Sequence, residues 1–170
     1  MTFSSSLHTI EQCCDRLRQL SQHDIIDRWS IRFDATTTPP PASPIDTAPL
    51  VELDDRRYAL WPRGRVAAWF TTRIIIPDAL QGYAIAGKTL RLALRWWAED
   101  AQIFVNGERV LTGDLYDCFG RVVLMPIATP GTAIDLAMRL VSPGHDAGAL
   151  VTSVLQYESE YTPGCFDPAF

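Results

Sequence analysis

Leu90-Arg91-Leu92-Ala93-Leu94-Arg95-Trp96-Trp97 and, shortly after it, Ile103-Phe104-Val105-Asn106-Gly107-Glu108-Arg109-Val110-Leu111 decide the fold. In the first stretch Leu90, Leu92, Leu94 and Trp96 fall on one side of an extended chain. Arg91, Ala93, Arg95 and Trp97 fall on the other, which is the period-two pattern of a half-buried strand. In the second stretch Asn106-Gly107 separates two apolar runs. Asn and Gly accept the positive φ values of a type I′ turn, so the segment reads as a β-hairpin.

Outward from this centre the same texture continues. Ala68 to Ile76 is rich in aromatic and β-branched residues and stops at Pro77, and Arg121 to Pro126 is another short apolar run. After the Pro130-Gly131 turn, Ile134, Leu136, Met138 and Leu140 alternate with Asp135, Ala137 and Arg139, and a last strand is expected from Leu150 to Glu158. Six to eight turn-punctuated strands with no helical pattern between them predict an all-β, antiparallel sandwich or barrel.

Upstream, Trp29, Ile31 and Phe33 alternate with Ser30 and Arg32 as a first strand. Before them Leu7, Ile10, Cys14 and Leu17 recur at helical spacing, with Leu20 following. Ser6 or Thr9 is placed to cap a short amphipathic helix, Gln12 answering Thr9. Between Thr36 and Pro49 stand five of the twelve prolines. Prolines lack backbone donors and cannot join an interior ladder, so this stretch reads as an exposed polyproline-like connection. The expected organisation is an N-terminal helix and first strand over 1–35, a Pro-rich loop over 36–49, a sandwich over 50–160 forming one domain with the N-terminal arm, and the start of an interdomain linker over 161–170.

With 170 residues and 47% hydrophobic content the chain can bury one substantial core. The net charge of -5, with Lys and Arg scattered among acids, speaks against nucleic acid as a partner. Neither a leader-like apolar segment nor a window near the roughly 20 apolar residues of a bilayer span is evident, so a soluble, cytoplasmic protein without a membrane partner is expected. Cys13 and Cys14 are adjacent while Cys118 and Cys165 stand alone, which fits reduced thiols better than a disulfide framework.

Three groups of residues could carry function. His145-Asp146, after Ser142-Pro143-Gly144, could be a base and its orienter or half of a metal site. Adjacent residues on a turn rarely aim at one substrate, however, and no nucleophile signature accompanies them, so a structural or interdomain role is preferred. Asp114 and Asp117, with Tyr116 between them, could lend oxygens to calcium. That ion wants six to eight ligands, and a turn bonding its own backbone is the simpler expectation. Neighbours in a strand face opposite ways, so at most one of Trp96 and Trp97 can enter the core. The other is expected to meet the N-terminal arm, a catalytic domain or another subunit, with a platform under a sugar ring as the lesser reading.

Trp69-Phe70, Leu90-x-Leu92-x-Leu94 and the Asn106-Gly107 hairpin together resemble the galactose-binding-like jelly-roll domains that precede many glycoside hydrolase barrels. Leu60-Trp61-Pro62, Ala68-Trp69-Phe70, Trp96-Trp97, Gly113-Asp114-Leu115-Tyr116-Asp117 and the stretch from Leu140-Val141-Ser142-Pro143-Gly144-His145-Asp146 to Ala147-Gly148-Ala149-Leu150 resemble, in that order, the amino-terminal region of bacterial, cyanobacterial-type α-mannosidases of glycoside hydrolase family 38. The resemblance implies an accessory domain that positions or stabilises a catalytic domain of the same polypeptide. It also implies that the catalytic domain is a retaining hydrolase of α-mannosides that holds zinc through His and Asp. Among His8, His23 and His145 none belongs to a His-x-Asp pair, so neither catalysis nor a cofactor is expected of this chain, and catalytic segments are expected beyond Phe170. A glycan and further copies of the chain are the remaining expected partners. An autonomous carbohydrate-binding module is the alternative function, and free mannose is expected to bind weakly at most.

Overall fold

In the computed structural model Leu90, Leu92, Leu94 and Trp96 all point into the core while Arg95 and Trp97 stay exposed. The structure describes residues 3–40 and 49–159, of which 3–9 are described as helix backbone alone. Pro41, Pro44 and the expected linker over 161–170 lie outside the described residues. The elements in order are helix α1 (Phe3–Ser21), β1 (Gln22–Asp24), a 3-10 turn (Ile26–Arg28), β2 (Ser30–Phe33), β3 (Ala59–Trp61) and β4 (Ala67–Ile75). They continue with β5 (Ala79–Leu80), β6 (Tyr83–Ala84), β7 (Thr89–Trp97), β8 (Asp100–Val105), β9 (Glu108–Gly113), β10 (Phe119–Met125), β11 (Ala133–Val141) and β12 (Gly148–Glu158).

Two five-stranded antiparallel sheets form the sandwich. One runs β1-β12-β7-β10, with β3 also paired to β12, and the other runs β2-β4-β11-β8-β9. Inward side chains from both sheets meet in one core, among them Leu92, Trp96, Phe70, Leu136, Met138 and Leu150. The hairpin turn has Asn106 at φ 51° and Gly107 at φ 83°, the left-handed pair that a type I′ turn requires. Asn106 also donates its backbone N–H to Asp135 O at 2.8 Å and accepts from the Asp135 N–H through Oδ1 at 3.0 Å, fastening the turn to β11.

The N-terminal region departs from expectation in four ways. The helix is long, 19 residues, and begins at Phe3, so Ser6 and Thr9 lie inside it and not at its start. Its expected apolar stripe is uncovered among the described residues, with Ile10 59% and Leu17 58% exposed. The chain after it is built into both sheets. Asp24 Oδ1 accepts the Ile26 N–H at 2.9 Å, turning the chain from β1 in one sheet to β2 in the other. Trp29 fills the gap between them, wholly buried, with its Nε1–H donated to Ser153 Oγ at 2.9 Å. Phe33, expected to be buried by alternation, is exposed: β2 is the last strand of its sheet among the described residues, and only its start is bridged, by Leu50 to Ser30.

The start of the Pro-rich stretch is also more than an exposed connection. The Thr36 carbonyl accepts Trp69 Nε1–H at 3.1 Å and Arg139 Nε–H at 3.2 Å, laying the chain across the outer face of the β2-containing sheet. Beneath it Trp69, fully buried, packs on Phe104 at a ring distance of 5.5 Å and with Ala137 forms a second small core. Pro39 and Pro40 face Asn106, Gly107 and Ala137 across a shallow cavity of about 290 Å³.

Candidate functional site

The strand order gathers every residue singled out in the sequence at one end of the sandwich. That end carries the β3–β4 loop (62–66), the β7–β8 turn (98–99), the β9–β10 loop (114–118) and the β11–β12 loop (142–147). All four connections cross from one sheet to the other.

The β11–β12 loop is held at both roots. Ser142, fully buried, accepts the Val66 N–H through Oγ at 3.0 Å and donates its own N–H to Val66 O at 3.1 Å. Gly64 N–H reaches Pro143 O at 3.1 Å. At the far root the absent side chain of Gly148 leaves room for the Trp61 indole, which packs edge-on against Phe70 at 5.4 Å and donates Nε1–H to Val66 O at 3.1 Å. Between these anchors Gly144, His145 and Asp146 are exposed at the tip. Asp146 Oδ1 accepts the Ala147 N–H at 2.8 Å, a local bond that holds the carboxylate against its own turn. No hydrogen bond or ion pair joins the His145 side chain to the described residues, so base and orienter are not assembled here.

In the β9–β10 loop Asp114 Oδ1 accepts the N–H groups of Tyr116 at 2.7 Å and Asp117 at 3.0 Å. These two bonds, Asp117's first, hold the Asp114 carboxyl below the usual carboxylate range. The loop is fixed to the core by Trp96, whose Nε1–H is donated to Asp114 O at 3.3 Å and whose backbone N–H is donated to Cys118 O at 2.9 Å. Among the described residues no group of three or more His, Cys, Asp or Glu is placed to hold a metal ion.

Trp96 enters the core and Trp97 stands 37% exposed on the outer face of the β7-containing sheet. Phe119, 71% exposed, lies opposite Arg95 in the register and so diagonal to Trp97 on that face, and Tyr116 in the adjoining loop is 92% exposed. Sequence reading passed over Phe119 and Arg95. The signal was available in the phase of β10: Phe119, Arg121 and Val123 share the face opposite Gly120 and Val122. The sandwich thus presents a firmly rooted loop end with three exposed aromatics, an arginine and, among the described residues, no enclosed set of reacting groups.

No protein-family model matches the chain, and no curated protein matches it. Solved structures do match. A glycosyl hydrolase family 2 member from Bacteroides cellulosilyticus superposes with a TM-score of 0.59 at 14% identity, over 82% of this chain and 21% of its own. Bacteroides uniformis beta-glucuronidase 2 gives 0.56 at 17% identity, over 80% and 18%. Ruminococcus gnavus beta-glucuronidase gives 0.52 at 9% identity, over 81% and 28%. The chain therefore spans about a fifth to a quarter of the length of these structures, and at such identities the likeness is one of fold. That fold is a β-sandwich that glycoside hydrolases carry as one part of a longer chain. These neighbours bear on the glycoside hydrolase sandwich and leave the resemblance to family 38 at the level of sequence. No helix among the described residues is long and apolar enough to cross a membrane.

Proposed function

We propose that this chain is a non-catalytic β-sandwich domain of a glycoside hydrolase, which positions or stabilises the catalytic domain through its loop-bearing end. The observation that supports the reading best is the juxtaposition of Trp97, Tyr116 and Phe119, all exposed, beside the firmly rooted 142–147 loop. Exposed aromatics beside a fixed polar loop suit a docking face, because large rigid side chains bury much area at small entropic cost. An α-mannosidase of family 38 is the parent that the ordered sequence motifs favour. The described residues offer no ligand set for the zinc implied for that parent, and no step of the reading runs through it.

The test is the double substitution His145→Ala with Asp146→Ala, made in the isolated chain and in the full-length enzyme. Both side chains are exposed, so the melting temperature of the isolated chain stays nearly unchanged while the activity or thermal stability of the full-length enzyme falls. A loss of about 1–2 kcal/mol in the isolated chain, the worth of broken local hydrogen bonds, would mean that the residues serve their own turn. No effect in the full-length enzyme would defeat the docking role.

A further inference from the structure

Away from the loop end, the sandwich is open along one flank. β2 accompanies β4 only from Ala68 to Thr71, so past Thr71 that edge of β4 has no neighbouring strand among the described residues. A cavity of about 470 Å³ lies there, lined by Asp27 and Arg28 of the 3-10 turn, Leu50, and Thr72 and Arg73 of β4. Its size lies within the range of small-molecule sites, about 300–1,000 Å³.

Three of the polar side chains around it make no hydrogen bond among the described residues. Thr72 points inward and is 6% exposed, yet no side-chain hydrogen bond joins its hydroxyl to the described residues. Among the described residues no fully buried side-chain polar atom lacks a partner, so the Thr72 hydroxyl reaches the cavity surface, where it can meet a ligand's donor or acceptor. The side chains of Asp27 and Arg28 likewise have neither a hydrogen bond nor an ion pair among the described residues, although their charges are felt by His23 and most arginines in the sandwich are paired. Arg73 is already spent: its guanidinium grips Asp135 in a two-point pair, with Nη2 to Oδ2 at 2.8 Å. The open charges are thus one carboxylate and one guanidinium, which cancel, together with a hydroxyl and the exposed apolar side chain of Leu50.

A carboxylate accepts from two adjacent hydroxyls, a guanidinium donates a planar fork to another pair, and an aliphatic wall covers C–H surface. We propose that this flank cleft binds one neutral sugar ring, held by Asp27, Arg28 and Thr72 against Leu50. Electrical balance selects a neutral, hydroxyl-rich ligand over a uronate, which would set a second anion beside Asp27. The site shares no residue with the loop end and stands whether or not that end docks to a catalytic domain.

The test is titration of the 170-residue chain with D-mannose, D-glucose, D-galactose and D-glucuronate, followed by amide chemical shifts. At least one neutral sugar gives a saturable response centred on Ile26–Trp29 and Thr72–Arg73, with Kd on the order of 1–10 mM. Asp27→Asn and Arg28→Ala, both at exposed positions, each weaken it about tenfold or more, as loss of a hydrogen bond to a charged group should. Thr72→Val weakens it while Thr72→Ser retains it. The proposal is overturned if no neutral sugar saturates, if the responding amides lie around Trp97 instead, if glucuronate binds more tightly than every neutral sugar, or if the Asp27 and Arg28 variants bind as the parent does.

Discussion

Replacing Gly148 by Ala adds one methyl group where the structure has no room for it. A Cβ at this position would lie 2.8 Å from Trp61 Cδ2 and nearer still to Cε2 and Cζ2. The indole cannot retreat, because its Nε1–H is bonded to Val66 O at 3.1 Å and it is packed edge-on against fully buried Phe70. The strain must be met by the backbone of β12, which pairs Gly148 with Trp61 itself. Overpacking of this kind costs about 1–3 kcal/mol. For a chain of this size each kcal/mol lowers Tm by roughly 2–4 °C. Differential scanning calorimetry reads the shift directly, and equilibrium urea unfolding should show a lower midpoint with an unchanged slope. Trp61→Phe, which shortens the ring, should make Gly148→Ala less costly than it is in the parent, a coupling that a double-mutant cycle isolates. A Gly148→Ala protein that melts with the parent would show that the indole is free to move, and would refute the claim that this contact roots the 142–147 loop.

Trp69→Ala should cost about 3–5 kcal/mol, as removal of a fully buried aromatic does, and should also expose residues 34–40 to limited proteolysis by removing one of the two donors to the Thr36 carbonyl and the ring beneath it; a protein with the parent's protease pattern would mean that the Arg139 bond and others hold the crossing segment. His23 should make stability fall on mild acidification. Burial first, then the Arg28 charge, lower its pKa, against the opposing pull of Asp24 and Asp27. The folded state therefore favours the neutral imidazole, and this contribution is present above the unfolded value of about 6.5 and is lost as pH falls through the lowered folded value. Melting curves from pH 8 to 5 on the parent and on His23→Gln check it, because the substitution should flatten the slope over that interval, and equal slopes would contradict it.

The sandwich was legible because its strands are half-buried. β7, β11 and β12 write their inward side chains at every second position, and Asn106-Gly107 writes its turn in the two residue types that tolerate it. β1, β3, β5 and β6 escaped because strands of two or three residues are too short to display a period. The crossing of residues 34–40 over Trp69 was illegible for a different reason: its key atom is a backbone carbonyl, which every residue possesses. Trp69 could be read only as a strand aromatic, not as a residue with a cover of its own. Trp97, Tyr116 and His145 each drew attention separately, and only the sheet order places them at one end. The flank cleft was invisible because it depends on β2 being shorter than β4, a difference in pairing length that no local pattern records.

The position of β12 also bears on how the protein is made. This last strand lies between β1 and β7 and also pairs with β3, so three segments separated by long stretches of chain meet only through it. A nascent chain emerging from the ribosome can form the β7–β10 pair and the whole of the other sheet beforehand. β1 and β3 have no strand partner until residues 148–158 are out. The closing step therefore joins the earliest of the described strands to the latest, at high contact order, and waits until residues 148–158 have emerged. A chain stalled before Gly148 would expose the inner face of half a sandwich, with Trp29 lacking its Ser153 acceptor. Such intermediates are the ones that chaperones hold and proteases remove.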